Sequence, residues 1–337
     1  MFRLFEGETA DTVWCKIAET FRREDLPLQN SRGGEMRELL HSAICISDPR
    51  QRWIVSRKPA LNVAFALAEV VWILTGRNDS AFLNYFNRQL PKFAGDGATY
   101  HGAYGHRLRS HFGIDQLERA YEVLRVKPTS RQVVLQIWDS KVDLPSGTGE
   151  EAGPDIPCNV LSLLKVRSDQ LEWTQIMRSN DVFLGLPHNL VQFTTMQEVL
   201  AGWLGLGVGN YYHISDSLHL YQKNLAQIQG SSQHEAVHNS DLLDVSKEQS
   251  EESFRKLAEA IELIIDERNT SKRIRLAANQ SKLAPPFRNM LYVFCAEGAR
   301  RRGSHDISDE IMLNCTNPAY THLYGRWLDR VREVPKL

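Results

Sequence analysis

Apolar residues in the stretch 8–24 recur so that Val13, Ile17 and Phe21 share one stripe, which predicts an amphipathic helix. Residues 61–74 break from that pattern, with apolar side chains on nearly every side, so this helix is expected to be buried. Glu69 is its only charge. A second amphipathic helix is predicted over 115–126 and is stopped by Pro128. The β-rich run 133–138 reads as a buried strand. Residues 160–166 and 171–177 read as two strands joined by a turn at Arg167-Ser168-Asp169, and 190–204 as a buried helix. Three more helical patterns follow at 251–268, 285–301 and 317–333. Between the elements, Ser31-Arg32-Gly33-Gly34 reads as a mobile turn and 99–109 as a glycine-punctuated turn rich in polar aromatics. Residues 146–155 read as a flexible loop leading to Pro157-Cys158. The polar run 222–250 suggests a linker or surface excursion.

Composition narrows the class. With 337 residues, 42% hydrophobic residues and a net charge of −1, the chain reads as an ordinary globular protein. That balance gives no support for bulk binding to nucleic acid or membrane. Five scattered cysteines without a Cys-x-x-Cys spacing argue against zinc and for a reducing compartment. No apolar signal region opens the sequence, and the longest apolar run is interrupted by Asn62 and Glu69, so a cytoplasmic protein is expected. Gly205-Leu206-Gly207-Val208-Gly209 has the look of a dinucleotide loop, but it follows a helix, so a plain turn is expected. Arg300-Arg301-Arg302, with Lys272 and Arg273, reads as a solvated basic face.

The chemistry concentrates between Pro157 and Tyr221. Cys158 offers a thiolate nucleophile. Arg178 and Ser179 suit a phosphate, because a planar fork of donors matches its oxygens. Asn189, His219 and Tyr221 bring an amide, an imidazole and a phenol, which suit a base edge and sugar hydroxyls. Glu69 in a buried helix has either a task or a structural ion pair, since a buried carboxylate is costly alone.

Taken in order, these pieces resemble the thymidylate synthase family. They are Glu69 in a buried helix, Tyr104-Gly105-x-x-x-Arg109, Ser130-Arg131 before a strand, Pro157-Cys158, Arg178-Ser179-x-Asp181-Val-Phe-Leu-Gly185-Leu-Pro-x-Asn189, and His219-x-Tyr221. The resemblance covers about residues 32–221. It implies an α/β (α+β) fold with one mixed sheet surrounded by helices, dimerising through the sheet. Residues 1–222 would form the catalytic core, and 223–337 a linker and helical C-terminal region packed on the same domain. The implied reaction moves a one-carbon unit from 5,10-methylenetetrahydrofolate to C5 of a uracil nucleotide (a pyrimidine nucleoside monophosphate), with Cys158 adding to C6. Glu69 and Tyr104 would organise proton transfers through water. Arg178 and Ser179 would hold the phosphate, Arg32 would sit on a closing loop, and Arg131 would reach the partner's site in a homodimer. Asn189 would read O4 and N3 of the base, and His219 and Tyr221 would bond the sugar. Asp181 and Gly185 would belong to the folate site. No metal is implied.

The departures gather on the implied folate side. Asn159 follows the nucleophile where the family carries His, and Gln132 replaces a second arginine. His188 stands where a phenyl is expected, and Asp155 replaces an apolar residue. Leu90 and Phe93 fall near the positions of the family's tryptophan wall, and its short apolar tail is missing. A wetter site would favour water over hydride as the final donor, giving hydroxymethyl instead of methyl. A folate-inactive nucleotide-binding paralogue is the third reading. A cysteine hydrolase using His188 or His219 lacks an oxyanion-hole signature.

Overall fold

Alternating buried and half-exposed side chains along residues 159–181 build the centre of the sheet. The computed structural model describes residues 2–23, 25–31, 33–150, 153, 155–229 and 237–333. The chain opens with β1 (Arg3–Gly7), α1 (Ala10–Arg23), β2 (Leu28–Ser31) and β3 (Gly34–Ile46), and continues with α2 (Val63–Leu74), α3 (Ser80–Asn84), α4 (Pro91–Ala94) and α5 (Tyr104–His106). Next come α6 (Gln116–Val126), β4 (Val134–Gln136), β5 (Asn159–Arg167), β6 (Gln170–Asp181), α7 (Gly185–Leu204) and β7 (Gly207–Tyr221). The rest is helical: α8 (Leu225–Gln229), α9 (Lys247–Ile265), α10 (Ser271–Asn279), α11 (Pro285–Arg301), α12 (His305–Met312) and α13 (Pro318–Glu333).

The strands form one seven-stranded mixed sheet in the order β1-β3-β7-β6-β5-β4, with β2 paired to β3. β1 runs parallel to β3, and β6 parallel to β7. The other pairs are antiparallel. Thus the expected mixed sheet with surrounding helices is present. The tight β5–β6 turn places Ser168 and Asp169 at positive φ, a conformation short polar residues tolerate. Helix α1 buries Val13, Ile17 and Phe21, as its stripe predicts. Every residue of α2 except Glu69 is buried, and Asn62 caps its start by accepting from the Phe65 N–H. Helix α7 ends on Gly205 in the left-handed conformation and turns at Gly205–Leu206; the remainder of the turn expected over 205–209, Gly207 to Gly209, is already strand β7. No helix among the described residues is long and apolar enough to cross a membrane.

Four expectations are corrected. Residues 99–109 hold a short helix, α5, continuing as a π-turn over Arg107–His111, where a turn was expected. This segment lies so close to α2 that a Cβ on Gly105 would sit 2.3 Å from the Ile73 carbonyl oxygen. The strand expected over 133–138 shrinks to the three-residue edge strand β4, which buries Leu135 but exposes Val134. Within the supposed polar excursion, Asn239, Asp241 and Leu243 are buried. The Asn239 backbone N–H donates to Gln51 Oε1, its side-chain Oδ1 accepts from Asn317, and the Leu243 N–H donates to Glu198. Finally, Arg300 and Arg301 both bond the buried carboxylate of Glu297, and Arg302 donates to the carbonyls of Ile264, Asp266 and Asn269. That basic triplet is a structural clamp, while Lys272 and Arg273 are exposed as expected.

Candidate active site

The ends of β6 and β7, the start of α7, the loop before β5, and the faces of α2 and α5 meet at one place. Cys158 sits half-buried on the last residue before β5. Its carbonyl accepts the Arg178 backbone N–H at 2.9 Å, which continues the β5–β6 pairing back to Cys158. The Arg178 guanidinium donates to the carbonyls of Pro157 (2.9 Å) and Ile156 (3.2 Å) and lies over the Trp138 ring. Arg178 stays exposed. One arginine therefore both braces the loop that carries Cys158 and keeps donors turned towards solvent.

Tyr104 packs its ring against Phe193 at 5.9 Å in a stacked arrangement. Burial holds its hydroxyl well above the usual phenol range. Cys158, Asp155 and Glu69 add to that rise and Arg178 opposes it, so all four lie within electrostatic reach of one hydroxyl. Asp155 is anchored beside Tyr104 by the Gly102 N–H, which donates to its Oδ2 at 2.7 Å. Burial raises the Asp155 carboxyl above the usual range. Glu69 has a partner: His188 Nδ1 lies 2.7 Å from its Oε2, with side chains only 16% and 15% exposed. The edge of the His188 ring meets Phe65 at 5.0 Å.

At the entrance of α7, Asp181 Oδ1 accepts from the N–H groups of Phe183 (2.7 Å) and Leu184 (2.8 Å). Its Oδ2 is buried without a hydrogen-bond partner among the described residues. Burial raises its carboxyl. A Cβ on Gly185 would stand 3.1 Å from Asn180 Oδ1 and 3.6 Å from Asn189 Oδ1, so the absence of a side chain lets these two amides close in on the start of α7. Asn189 is buried and donates one amide N–H to Gln192 Oε1 at 3.1 Å. Its second N–H and its Oδ1 remain for a ligand. His219 pairs with Asp181 across the β6–β7 ladder, and its Nδ1 is buried without a partner among the described residues. Its ring meets Tyr221 edge-on at 5.3 Å. Tyr221 in turn lies over the β2–β3 turn, where a Cβ on Gly33 would come within 2.5 Å of its hydroxyl oxygen.

The remaining expected residues are placed less closely. Ser179 is half-buried on β6. Arg131 is exposed and makes no hydrogen bond among the described residues. Arg32 lies outside the described residues. Phe93 is 53% exposed, and Leu90 is half-buried against the core. Asn159 points into the core, where its Oδ1 accepts from Gln175. Sequence reasoning overlooked Gln192 and the Asn180–His213–Tyr211 chain of hydrogen bonds beneath the site. Gln192 could have been found from its i+3 spacing to Asn189 on one helix.

Residues 48–277 match the sequence model of the family described as thymidylate synthase. The chain belongs to the thymidylate synthase family. The family match continues past Tyr221, through α9 and into α10, beyond the stretch that carried the motifs. A deoxyuridylate hydroxymethyltransferase of Bacillus phage SP01 is 34% identical over 228 residues, which is 64% of this chain and 58% of that protein. A second deoxyuridylate hydroxymethyltransferase, from Delftia phage PhiW-14, is 30% identical over 184 residues, 52% of this chain and 51% of its own length. A putative thymidylate synthase of Methanothermobacter marburgensis is 28% identical over 215 residues, 64% of this chain and 91% of its own. The chain thus spans little more than half the length of the two phage relatives.

Proposed function

We propose that this protein transfers a one-carbon unit to C5 of a uracil nucleotide and releases the 5-hydroxymethyl product. The observation that carries the reading is that Cys158, Asp155, Glu69 and Arg178 all lie within electrostatic reach of the Tyr104 hydroxyl, with the Asn189 amide held by Gln192 at the start of α7. The Cys158 thiolate adds to C6 of the base, and the C5 carbon becomes nucleophilic as charge moves to O4. Gln192 holds the Asn189 amide so that one N–H faces O4 and Oδ1 faces N3–H, the complement of uracil. Arg178 and Ser179 take the phosphate, with Arg32 completing the clamp. His219 and Tyr221 meet the sugar.

The residues around Asp181 fit a folate. Its buried, unpartnered Oδ2 would accept from a pterin N–H. 5,10-Methylenetetrahydrofolate, when bound, supplies the one-carbon unit. Two polar groups, His188 and Asp155, line the region where apolar residues would exclude water, which favours water as the final donor. The names of the two phage relatives support the same product. The protein is proposed to act as a homodimer, with Arg131 serving the site of a second copy.

Mass spectrometry of dUMP incubated with the protein and 5,10-methylenetetrahydrofolate tests this, beside Cys158→Ala. A gain of one hydroxymethyl group that needs Cys158 is expected. A methyl gain would overturn the product, and no gain with any pyrimidine nucleotide would overturn the enzyme.

A further inference from the structure

We infer that His188 is a catalytic base: its Nε2 takes the proton from the water that adds to the one-carbon unit on C5. The inference rests on the proposed hydroxymethyl reading and deepens it. Glu69 Oε2 lies 2.7 Å from His188 Nδ1, on a helix whose other residues are all buried. A carboxylate there accepts, so Nδ1 carries the proton and the neutral imidazole offers Nε2 as an acceptor. Nε2 makes no hydrogen bond among the described residues. The Phe65 ring, edge-on at 5.0 Å, fixes the plane of the imidazole. His188 is thereby oriented by one group and open at the other nitrogen, the arrangement of an activated base with its orienting carboxylate. It also lies beside the chemistry, because Glu69 and Cys158 both act on the same Tyr104 hydroxyl, and residue 189 reads the base.

The step balances without a redox partner. While Cys158 is bonded to C6, C5 carries an exocyclic methylene conjugated with the C4 carbonyl. The water oxygen bonds to that methylene carbon, its proton passes to His188 Nε2, and the π electrons move to O4. The enolate then reforms the C4 carbonyl and the C5–C6 double bond, and the C6–S bond breaks to release the Cys158 thiolate. The imidazolium, stabilised by Glu69, returns its proton to solvent.

The reverse of the same step needs no folate, and this isolates it. 5-Hydroxymethyl-dUMP in ¹⁸O-water would lose and regain its hydroxymethyl oxygen, read as a two-dalton gain by mass spectrometry. Debromination of 5-bromo-dUMP by dithiothreitol reports Cys158 addition alone. Wild type is expected to perform both and Cys158→Ala neither. His188→Phe and His188→Asn are each expected to slow oxygen exchange at least about 100-fold more than debromination, the range for loss of a general base. The asparagine keeps a donor for Glu69 but has no nitrogen at Nε2. Exchange retained in His188→Asn, or equal losses in both assays, would reduce His188 to packing and overturn the inference. Debromination without exchange in wild type would overturn it too. Failure of wild type in both assays would bring down the proposed function itself.

Discussion

Arg178 donates its backbone N–H to the carbonyl of Cys158, and its guanidinium to the two carbonyls just before it. Cys158, the proposed nucleophile, is therefore held by the residue proposed to hold the phosphate, so the two proposed roles share one side chain. Lysine keeps the charge but cannot donate to Pro157 and Ile156 together in a fixed fork. Arg178→Lys should raise KM for the nucleotide and also lower kcat, with a combined loss in kcat/KM on the order of 100-fold. Steady-state kinetics check this. A change in KM alone would mean that the carbonyl contacts do not position Cys158.

His213 gives a pH dependence of stability. It is fully buried, and burial lowers its imidazole from 6.5 to about 3. Asn180 Nδ2 donates to its Nε2 at 2.9 Å, so the neutral ring donates from Nδ1 to the Tyr211 oxygen at 3.0 Å. A depressed folded value means that the unfolded chain binds more protons at acid pH. The neutral ring's contribution is complete above about 6.5 and is lost as pH falls towards 3. Between pH 7 and 5 this single group should lower unfolding stability by about 2 kcal/mol. Urea titrations of wild type and His213→Gln at both pH values measure it. The variant should lack this component, and parallel pH curves would refute it.

Much of this organisation was legible in residue order because it is local. The buried helix around Glu69, the α1 stripe and the β5–β6 hairpin follow from periodicity and turn chemistry over short spans. β3 and β7 were not legible, although both are interior strands of the sheet. Their sequences mix Glu38, Arg37, His213 and Asp216 with apolar residues, and long-range pairing overrides that weak pattern. The same holds for the buried polar segment near Asp241, where partners from Asn289 and Asn317 are far away in sequence. In the site, the motif residues were readable singly. Glu69 needed a partner on energetic grounds, yet only the packing of α2 against α7 supplied His188.

Base choice should follow the Asn189 amide. With one N–H committed to Gln192, the amide presents a donor and an acceptor to the base. A carboxylate would present acceptors only, matching the amino group of cytosine and opposing uracil O4. Asn189→Asp should lower kcat/KM for a uracil nucleotide by about 100-fold or more, the scale of a lost buried hydrogen bond with charge repulsion, and raise turnover of the cytosine counterpart. Paired kinetics on dUMP and dCMP decide the matter. Unchanged preference would remove Asn189 from base recognition.

The last prediction concerns what keeps α7 in place. Glu198 has no exposed side-chain surface, yet it meets three donors: Arg52 at its Oε2, and Arg50 and the Leu243 N–H at its Oε1. It thereby ties the helix that starts at the site to the loop before α2 and to the chain leading into α9. Removing the charge leaves the Arg52 guanidinium buried without its counter-ion, a loss of about 3–5 kcal/mol. Glu198→Gln should lose that much in denaturant unfolding, while turnover well below its melting range stays within a few-fold of wild type. The double change Arg52→Leu with Glu198→Leu should cost less than Glu198→Gln, because no charge is then stranded. If the double variant is the less stable of the two, the pair contributes net stability and the stranded-charge account of Glu198 fails.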